Sequence, residues 1–440
     1  MPTEPPPPPA GTMGRHRVVI TGLGTISPLG NDRDSTWSSI CHGRSGIAAI
    51  ERFDVGDLPS RIAGEVHGFD AAAELGSREA RRAGRVVHLA LAAAREAVAD
   101  GCLDVTADAD DIGVVIGTSA GALDIYEAGL RSHGAGGYRT VGPFAATGTA
   151  SGMPAAMVAM DVGARGPNFA MVSACASGAH AVGEAAEQIR RGDAVAMIAG
   201  GSEAALPPAR LAALCAIRAL SRRNDDPQRA SRPFDRDRDG FVPAEGAAIL
   251  LLEEREHALA RGAHIHAELA GYAATADAWH ATRPIPDGSG ARRCIERALA
   301  RAGRSAGEVG YVNAHGTGTR LNDLAETRAL QAVLGADADR VPVSSTKSMT
   351  GHLMGAAGAL EAVLTVLALE EGFLPPTINL DAPDPECHLD HIAHRGRRVQ
   401  TSLALSTSFG FGGQNACLVF SQGLRQRPDS VRKGKSAMNP

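Results

Sequence analysis

Short, apolar, β-branched segments alternate with Ala-rich helical segments along this chain, and the second half repeats the order of the first half. Strands that alternate with helices predict parallel sheets in an α/β fold. The repeat predicts an internal duplication with its join near residue 260. Predicted strands span 17–21, 111–117, 168–173, 194–199, 248–253, 266–272, 309–313, 341–345 and 416–420, and predicted helices span 81–100, 176–191, 292–302 and 355–369.

The predicted domain organisation follows this repeat. An N-terminal half at 15–260 precedes a C-terminal half at 261–421. The Pro-rich segment 1–14 and the polar segment 422–440 flank them, and both are expected to be disordered. Hydrophobic residues make up 44% of the chain, which is enough to bury a sizeable core.

Composition and charge exclude several functions. A formal net charge of -5 and an aromatic content of 4% argue against a nucleic-acid-binding protein. No apolar run approaches the ~20 residues of a membrane span, and the N-terminus lacks the features of a signal peptide. Seven cysteines are spaced singly without a CxxC pair, so neither a disulfide framework nor a zinc site is expected, and the cytoplasm is the predicted location.

Cys175 is the strongest candidate for a nucleophile. In the segment 172–178 (VSACASG) it stands where an apolar strand gives way to a helix of small residues. A helix N-terminus stabilises a thiolate, so the position predicts a lowered thiol pKa. The backbone N–H groups at such a turn can also stabilise an oxyanion. A buried structural cysteine is the alternative interpretation.

Ser119 is a second candidate, in the GxSxG segment 117–121 that follows a predicted strand. Serine hydrolase chemistry would use this hydroxyl with an acid and a histidine from later in the chain. The alternative is a glycine-rich strand-to-helix turn that contains an incidental serine.

Two histidines strengthen the case for the cysteine. His315 ends a predicted strand in 312–319 (VNAHGTGT), and His352 follows Lys347 in 346–352 (TKSMTGH). Two histidines in glycine-rich loops beside a lysine favour a catalytic cluster. A metal site is disfavoured, because no third ligand follows at a regular spacing.

The loop 408–415 (SFGFGGQN) is either a turn with two core aromatic residues or a mobile flap in which Phe411 admits or blocks a substrate.

Taken together, these motifs resemble those of the elongating β-ketoacyl–acyl carrier protein synthases of the Cys-His-His type. The resemblance extends from about residue 17 to 420, in order and at matching spacing. It implies the thiolase fold, a duplicated five-layered αβαβα arrangement. It also implies a dimer and substrates carried on the phosphopantetheine of acyl carrier protein, with no further cofactor and no metal.

The resemblance also implies a decarboxylative Claisen condensation. Cys175 would hold the acyl chain, and the N–H groups of Cys175 and Phe411 would stabilise the oxyanion. His315 and His352 would bind the thioester oxygen of the malonyl group while carbon dioxide leaves. Lys347 would support the two histidines electrostatically.

Further residues match the family pattern. Asp323 and Glu326 correspond to buried carboxylates, Thr317 and Thr319 to hydroxyls that meet pantetheine, and Thr282 to a position near the same tunnel. A purely structural role is the alternative for each of these residues.

Three small residues bear on the substrate. Ala120, Ala145 and Cys215 stand where fatty-acid enzymes of this type commonly carry larger side chains, so we expect a wide acyl pocket. A discrete-enzyme (type II) polyketide pathway, one that makes polyenes included, is the preferred interpretation. Housekeeping fatty-acid elongation is the alternative, and a GxSxG hydrolase is the alternative from another enzyme class.

Partners follow from the same resemblance. Acyl carrier protein is expected to dock on a basic rim that includes Arg139 and Arg218. A further arginine cluster lies at 77–85, where the candidates are Arg78, Arg81, Arg82 and Arg85. The chain is expected to form a homodimer, or a heterodimer with a paralogue resembling a chain-length factor. A non-catalytic partner subunit is disfavoured, because Cys175 is present.

Overall fold

The computed structural model describes residues 16–204 and 206–423. The predicted tail at 1–14 lies outside the described residues, as does 424–440 of the predicted tail at 422–440. Within the described part of the chain, no helix is long and apolar enough to cross a bilayer.

The strands are β1 (Val18–Ile26), β2 (Ala48–Ala49), β3 (Ile62–Ala63), β4 (Ile112–Gly117), β5 (Asn168–Met171), β6 (Ala196–Glu203), β7 (Gly246–Glu254), β8 (Ala267–Ala276), β9 (Tyr311–Asn313), β10 (Pro342–Ser344), β11 (Phe373–Leu374), β12 (Asp390–His391), β13 (Arg397–Arg398), β14 (Leu403–Gly410) and β15 (Gln414–Gln422). The α-helices are α1 (Arg33–Cys41), α2 (Ala71–Leu75), α3 (Ser77–Ala80), α4 (Arg85–Asp100), α5 (Leu123–Gly136), α6 (Ala145–Gly148), α7 (Met153–Val162), α8 (Ser177–Arg191), α9 (Pro208–Ala216), α10 (Arg255–Ala260), α11 (Ser289–Ala302), α12 (Arg320–Leu334), α13 (Lys347–Thr350) and α14 (Ala357–Glu371).

The main strands form one 11-stranded sheet in the order β12-β10-β9-β14-β15-β8-β1-β7-β6-β4-β5. In the N-terminal half, β5, β4 and β6 are parallel, β7 is antiparallel to β6, and β1 is antiparallel to β7. The C-terminal half repeats this arrangement with β10, β9 and β14, then β15, then β8. The two halves join where β1 pairs with β8 at Val19–Glu268 and Ile20–Ala267. This repeat supports the proposed boundary near residue 260.

The prediction of parallel sheets is wrong at the centre of the sheet. There β14 and β15 are joined by residues 411–413, and so short a hairpin can join only antiparallel strands. The sequence did not predict β14 at all. The predicted helix at 81–100 starts late, at Arg85, with Gly84 at its N-cap.

Five layers follow from the two faces of each sheet half. On β7, Ala248, Leu250 and Leu252 face a central cluster that contains helices α8 and α14. The alternate residues of the strand face an outer cluster with α4 and α7. In the C-terminal half, α11 and α12 cover the other outer face. This is the predicted duplicated αβαβα arrangement of the thiolase fold.

Both central helices begin with the same backbone turn. A residue in the left-handed region, Ala174 (φ 50°) or Met354 (φ 49°), opens a short 3-10 turn at Ala174–Ala176 or Met354–Ala356. Each turn leads into a helix of 15 residues. The helices end at left-handed glycines, of which Gly192 was predicted. The first turn carries Cys175 into the interior of the molecule.

Candidate active site

Cys175 lies at the turn between β5 and α8, with 6% of its surface exposed. The end of β14 packs directly against this turn. A Cβ atom at Gly410 would lie 2.7 Å from the Ser173 carbonyl oxygen and 3.2 Å from the Cys175 nitrogen, so only glycine allows this approach. This approach brings the backbone N–H of Phe411 to the Cys175 thiol, where it acts to lower the thiol pKa.

Burial raises the pKa of Cys175 to about 11. The Lys347 ammonium and the Phe411 N–H act in the opposite direction but do not overcome the loss of solvation. The prediction of a lowered Cys175 pKa is therefore wrong in direction. Cys175 does lie at a helix N-terminus, but it is almost fully buried, and the loss of solvation has the larger effect on its pKa.

His315 follows β9, and His352 follows the short helix α13. Their ring centroids are 5.4 Å apart at an interplanar angle of 85°. The Cys175 sulfur and one nitrogen from each ring all lie within 4.8 Å of one another. The structure thus brings together three residues separated by up to 177 positions in the sequence, 352 − 175.

Both imidazoles are neutral near pH 7. Burial and then the nearby Lys347 charge lower the pKa of His315 and of His352 well below the usual value. The Lys347 ammonium donates to Nδ1 of His315 at 3.2 Å, so the proton of that ring is on Nε2. Neither ring nitrogen of His352 has a hydrogen-bond partner among the described residues, and one of them lies in the cluster with the Cys175 sulfur.

Lys347 is 1% exposed and joins the two histidine loops. Its ammonium donates to the His315 carbonyl oxygen at 2.6 Å and forms a short ion pair with Glu361 of α14. Burial raises the pKa of Glu361 to about 7, while Lys347 acts to lower it. Sequence reasoning missed Glu361, because it lies in the middle of an apolar helix outside any motif.

The two predicted carboxylates hold the 315–319 loop rather than line the cavity. Glu326 accepts hydrogen bonds from the backbone of His315 at 2.8 Å and of Gly316 at 2.7 Å. Asp323 accepts from Gly318 at 3.2 Å and pairs with Arg238 at 3.3 Å. Burial raises the pKa of both carboxyls.

One cavity of about 470 Å³ opens above the cluster. Its predicted lining residues are Cys175, His315, His352, Phe411, Thr282, Thr317, Thr319 and Arg218. The hydroxyls of Thr317 and Thr319 are 3.0 Å apart along its wall. Sequence reasoning did not anticipate several other lining residues, among them Phe241, Arg283, Arg320, Phe409 and Asn415.

The three small residues of the expected acyl pocket are not part of this lining. Cys215 is buried in an apolar cluster that contains Phe241, so it lies behind the cavity wall. Ala145 is half-buried on α6, and Ala120 is half-buried after Ser119.

Among the described residues, no histidine hydrogen-bonds to the Ser119 hydroxyl. The backbone N–H of Ser119 donates to the Glu203 carboxylate at 2.7 Å. A serine hydrolase needs a histidine at that hydroxyl. The GxSxG segment is therefore a structural turn, and the hydrolase alternative is not supported.

The predicted docking arginines separate into two groups. Arg218 is exposed at the mouth of the cavity, and Arg78, Arg81 and Arg139 are exposed elsewhere. Arg82 and Arg85, in contrast, contact the protein itself: Arg82 lies over the Phe144 ring at 5.8 Å, and Arg85 pairs with the buried Glu245 at 2.8 Å.

Comparisons with known proteins agree with this geometry. Residues 15–258 match the family described as "Beta-ketoacyl synthase, N-terminal domain", and residues 266–381 match "Beta-ketoacyl synthase, C-terminal domain". The chain is 49% identical to 3-oxoacyl-[acyl-carrier-protein] synthase 2 of Synechocystis sp., over 93% of this chain and 98% of the relative. It is 46% identical to the synthase of the same name from Vibrio harveyi, over 93% of this chain and 99% of the relative.

Solved structures show the same fold. A type II polyketide ketosynthase bound to a hexaketide, in complex with its acyl-carrier protein, has a TM-score of 0.85 and 38% identity. The ishigamide ketosynthase/chain length factor has a TM-score of 0.87 and 35% identity. Each match covers 93% of this chain and 100% of the other.

The chain therefore belongs to the β-ketoacyl synthase family. Within that family it is an acyltransferase of the 3-oxoacyl-[acyl-carrier-protein] synthase type, as the sequence motifs predicted. Such ketosynthases use carrier-bound acyl groups, and their condensation requires no added cofactor.

Proposed function

We propose that this protein condenses an acyl group held on Cys175 with malonyl-acyl carrier protein to give 3-ketoacyl-acyl carrier protein and carbon dioxide. The observation that carries the proposal is the convergence of the Cys175 sulfur, two neutral imidazoles and the Phe411 N–H at the end of one cavity.

In the first step, the Cys175 sulfur attacks the carbonyl carbon of an acyl thioester. The N–H groups of Cys175 and Phe411 stabilise the oxyanion of the tetrahedral intermediate. The bond to the carrier sulfur then breaks, the carrier thiol takes up the proton that Cys175 gave up, and the acyl group remains on the enzyme.

In the second step, His352 and Nε2–H of His315 donate hydrogen bonds to the thioester oxygen of the malonyl group. The bond to the carboxylate breaks, carbon dioxide leaves, and the electron pair forms an enolate. The enolate carbon attacks the acyl carbonyl on Cys175 and the carbon–sulfur bond breaks. The Cys175 thiolate that leaves takes up one proton from solvent, which regenerates the thiol. Covalent catalysis thus divides one difficult reaction into two steps.

Incubation with an acyl-carrier thioester tests this proposal. Mass spectrometry should find the added acyl mass on the peptide that contains Cys175. Ser119→Ala and Cys215→Ala are matched controls that should still be acylated. Acylation at another residue, or at none, would overturn the proposal.

For the pathway, we propose a type II polyketide role with an unsaturated acyl chain, supported by likeness to the ketosynthase of a type II polyketide system. Fatty-acid elongation is the second candidate, favoured by the higher identity to the Synechocystis synthase. Relative kcat/KM for saturated and conjugated polyenoyl carrier substrates of equal length decides between them. Preference for the polyenoyl chain supports the first candidate, and preference for the saturated chain supports the second.

Acyl carrier protein is proposed to dock at the mouth of the cavity. Arg218, Arg283 and Arg320 are exposed around it, and Arg218 and Arg283 form no ion pair with other described residues. An acidic carrier should be attracted there, with weaker binding at high salt. Arg218→Glu with Arg283→Glu should raise the carrier Kd at least tenfold, whereas Arg340→Glu, an exposed control, should leave it unchanged. Equal affinities for the two variants would contradict this surface.

A second chain is proposed to cover the edge of the sheet at β5. This strand is the last in the sheet, so one of its edges is unpaired. Exposed large apolar side chains come from the adjoining part of the chain, at Tyr126, Leu130, Tyr138, Phe144, Met160 and Val172. Light scattering should detect a dimer, either with itself or with a coexpressed chain-length-factor-like paralogue. Val172→Asp should dissociate it and Leu259→Asp should not; a monomeric wild-type chain, alone and with the paralogue, would overturn the proposal.

A further inference from the structure

Three metal-ligating side chains lie together far from the active site, where β8 begins and α14 ends. Nε2 of His264 is 2.7 Å from one carboxylate oxygen of Glu370, and Nδ1 of His266 is 2.8 Å from the other. All three ligand groups lie within 4.8 Å of one another. We propose that His264, His266 and Glu370 bind one divalent transition-metal ion of the Zn²⁺ or Ni²⁺ class.

The neighbour of His266 supports this assignment. Its second ring nitrogen, Nε2, lies 3.0 Å from a carboxylate oxygen of Asp100 at the end of α4. When Nε2–H donates to Asp100, the lone pair of Nδ1 points toward Glu370 and is available to a metal. A carboxylate behind a ligating histidine is the usual arrangement in zinc sites, where it fixes the tautomer and the ring orientation.

The geometry permits an ion with little rearrangement. Zinc-to-ligand distances of roughly 2.0–2.2 Å in a tetrahedral site separate ligand atoms by about 3.4 Å, so the two short contacts must each open by about 0.6–0.7 Å. His264 can make that adjustment, because its side chain is 65% exposed. His266 is held in place, with 7% exposure. Two imidazoles and one carboxylate leave a fourth position open to water.

A proton is the competing occupant of the cluster. Although burial opposes protonation, the hydrogen bonds to Asp100 and Glu370 raise the pKa of His266 to about 9. Nearby charges on Arg33 and Asp100 offset each other through their ion pair. A bound metal ion would link the C-terminal end of α14, through Glu370, to the start of β8, through His264 and His266.

Calorimetric titration of the full chain with Zn²⁺ tests the proposal. The measurements use a Cys175→Ala background, because Cys175, His315 and His352 also place ligand atoms within 4.8 Å of one another. We expect one bound ion, with at least tenfold weaker binding in His264→Ala and in Glu370→Gln. His388→Ala is the matched control: this exposed histidine pairs with Asp339 at 3.5 Å and should not affect binding.

Two further measurements test whether the ion binds at the site formed by His264, His266 and Glu370. Co²⁺ should give the visible d–d absorption of a low-symmetry site, and this signal should be lost in His264→Ala. Zn²⁺ should raise the Tm of the parent but not of that variant. No binding in the parent, or binding unaffected by His264→Ala with Glu370→Gln, would overturn the proposal and leave the cluster as an ion-pair network that holds a proton.

Discussion

The two central helices start from the same turn, but their turns carry different side chains. The second residue of the 3-10 turn is Cys175 before α8 and Gly355 before α14. The helices have equal length and both end at a left-handed glycine. The duplicated fold thus supplies two buried turns of the same shape, and only one of them carries a nucleophile.

The strand end that packs against each turn explains the difference. β6 and β14 have eight residues each, and they end at Glu203 and Gly410. Glu203 accepts the N–H of Gly355 at 3.0 Å, which satisfies the donor at that turn. Gly410 has no side chain, and the next N–H faces the Cys175 sulfur. One turn is therefore occupied by a carboxyl group, whereas the other offers donors to a substrate oxygen.

The largest expected effect is the loss of the nucleophile. Cys175→Ala should abolish acylation and reduce condensation by about 10³-fold or more, because it removes the thiol that is proposed to hold the acyl chain. Acyl-carrier turnover and intact-protein mass measure both effects. Retained acylation would show that the cysteine turn is not the reactive one.

The next largest expected effect distinguishes the role of the histidines in malonyl decarboxylation from the role of Cys175 in acyl transfer. His315→Ala and His352→Ala should each reduce malonyl decarboxylation by about 10²–10⁴-fold, because the enolate oxygen loses a donor. Acylation of Cys175 should fall much less. Release of carbon dioxide and acyl transfer are measured separately, on variants whose circular dichroism matches the wild type. Equal losses in both half-reactions would contradict this division of roles.

A smaller effect tests the second turn. In Gly355→Ala the new Cβ would lie 2.3 Å from the Ser119 nitrogen and 2.6 Å from a Glu203 oxygen. Crowding of this kind should lower the free energy of unfolding by about 1–3 kcal/mol, measured by urea denaturation. Gly134→Ala is the control, because nothing lies within 4 Å of its added Cβ. Equal stability of the two variants would show that the second turn tolerates a side chain as the first does.

Sequence alone identified the parts of the site that lie in short motifs. Cys175, His315 and His352 stand in compact glycine-rich segments at strand ends, where the neighbouring residues in the sequence are enough to indicate a reactive side chain. Glu361 and Glu203 were missed, because each acts on a loop more than ten residues away in sequence and lies in an apolar element. The antiparallel centre was missed for a similar reason, since strand direction depends on the connection at 411–413 and not on hydrophobic periodicity.

The last prediction concerns the ionisation of the cysteine. A pKa of about 11 means that the thiolate fraction, and with it the rate of alkylation by iodoacetamide, should rise about tenfold per pH unit from pH 7 to 9. The histidines should add no step in this range, because their pKa values lie well below it. The rate is read from the peptide that carries Cys175. A plateau between pH 7 and 8 would mean that the helix N-terminus stabilises a thiolate despite burial, and the contrast between the two turns would then not include the charge state of Cys175.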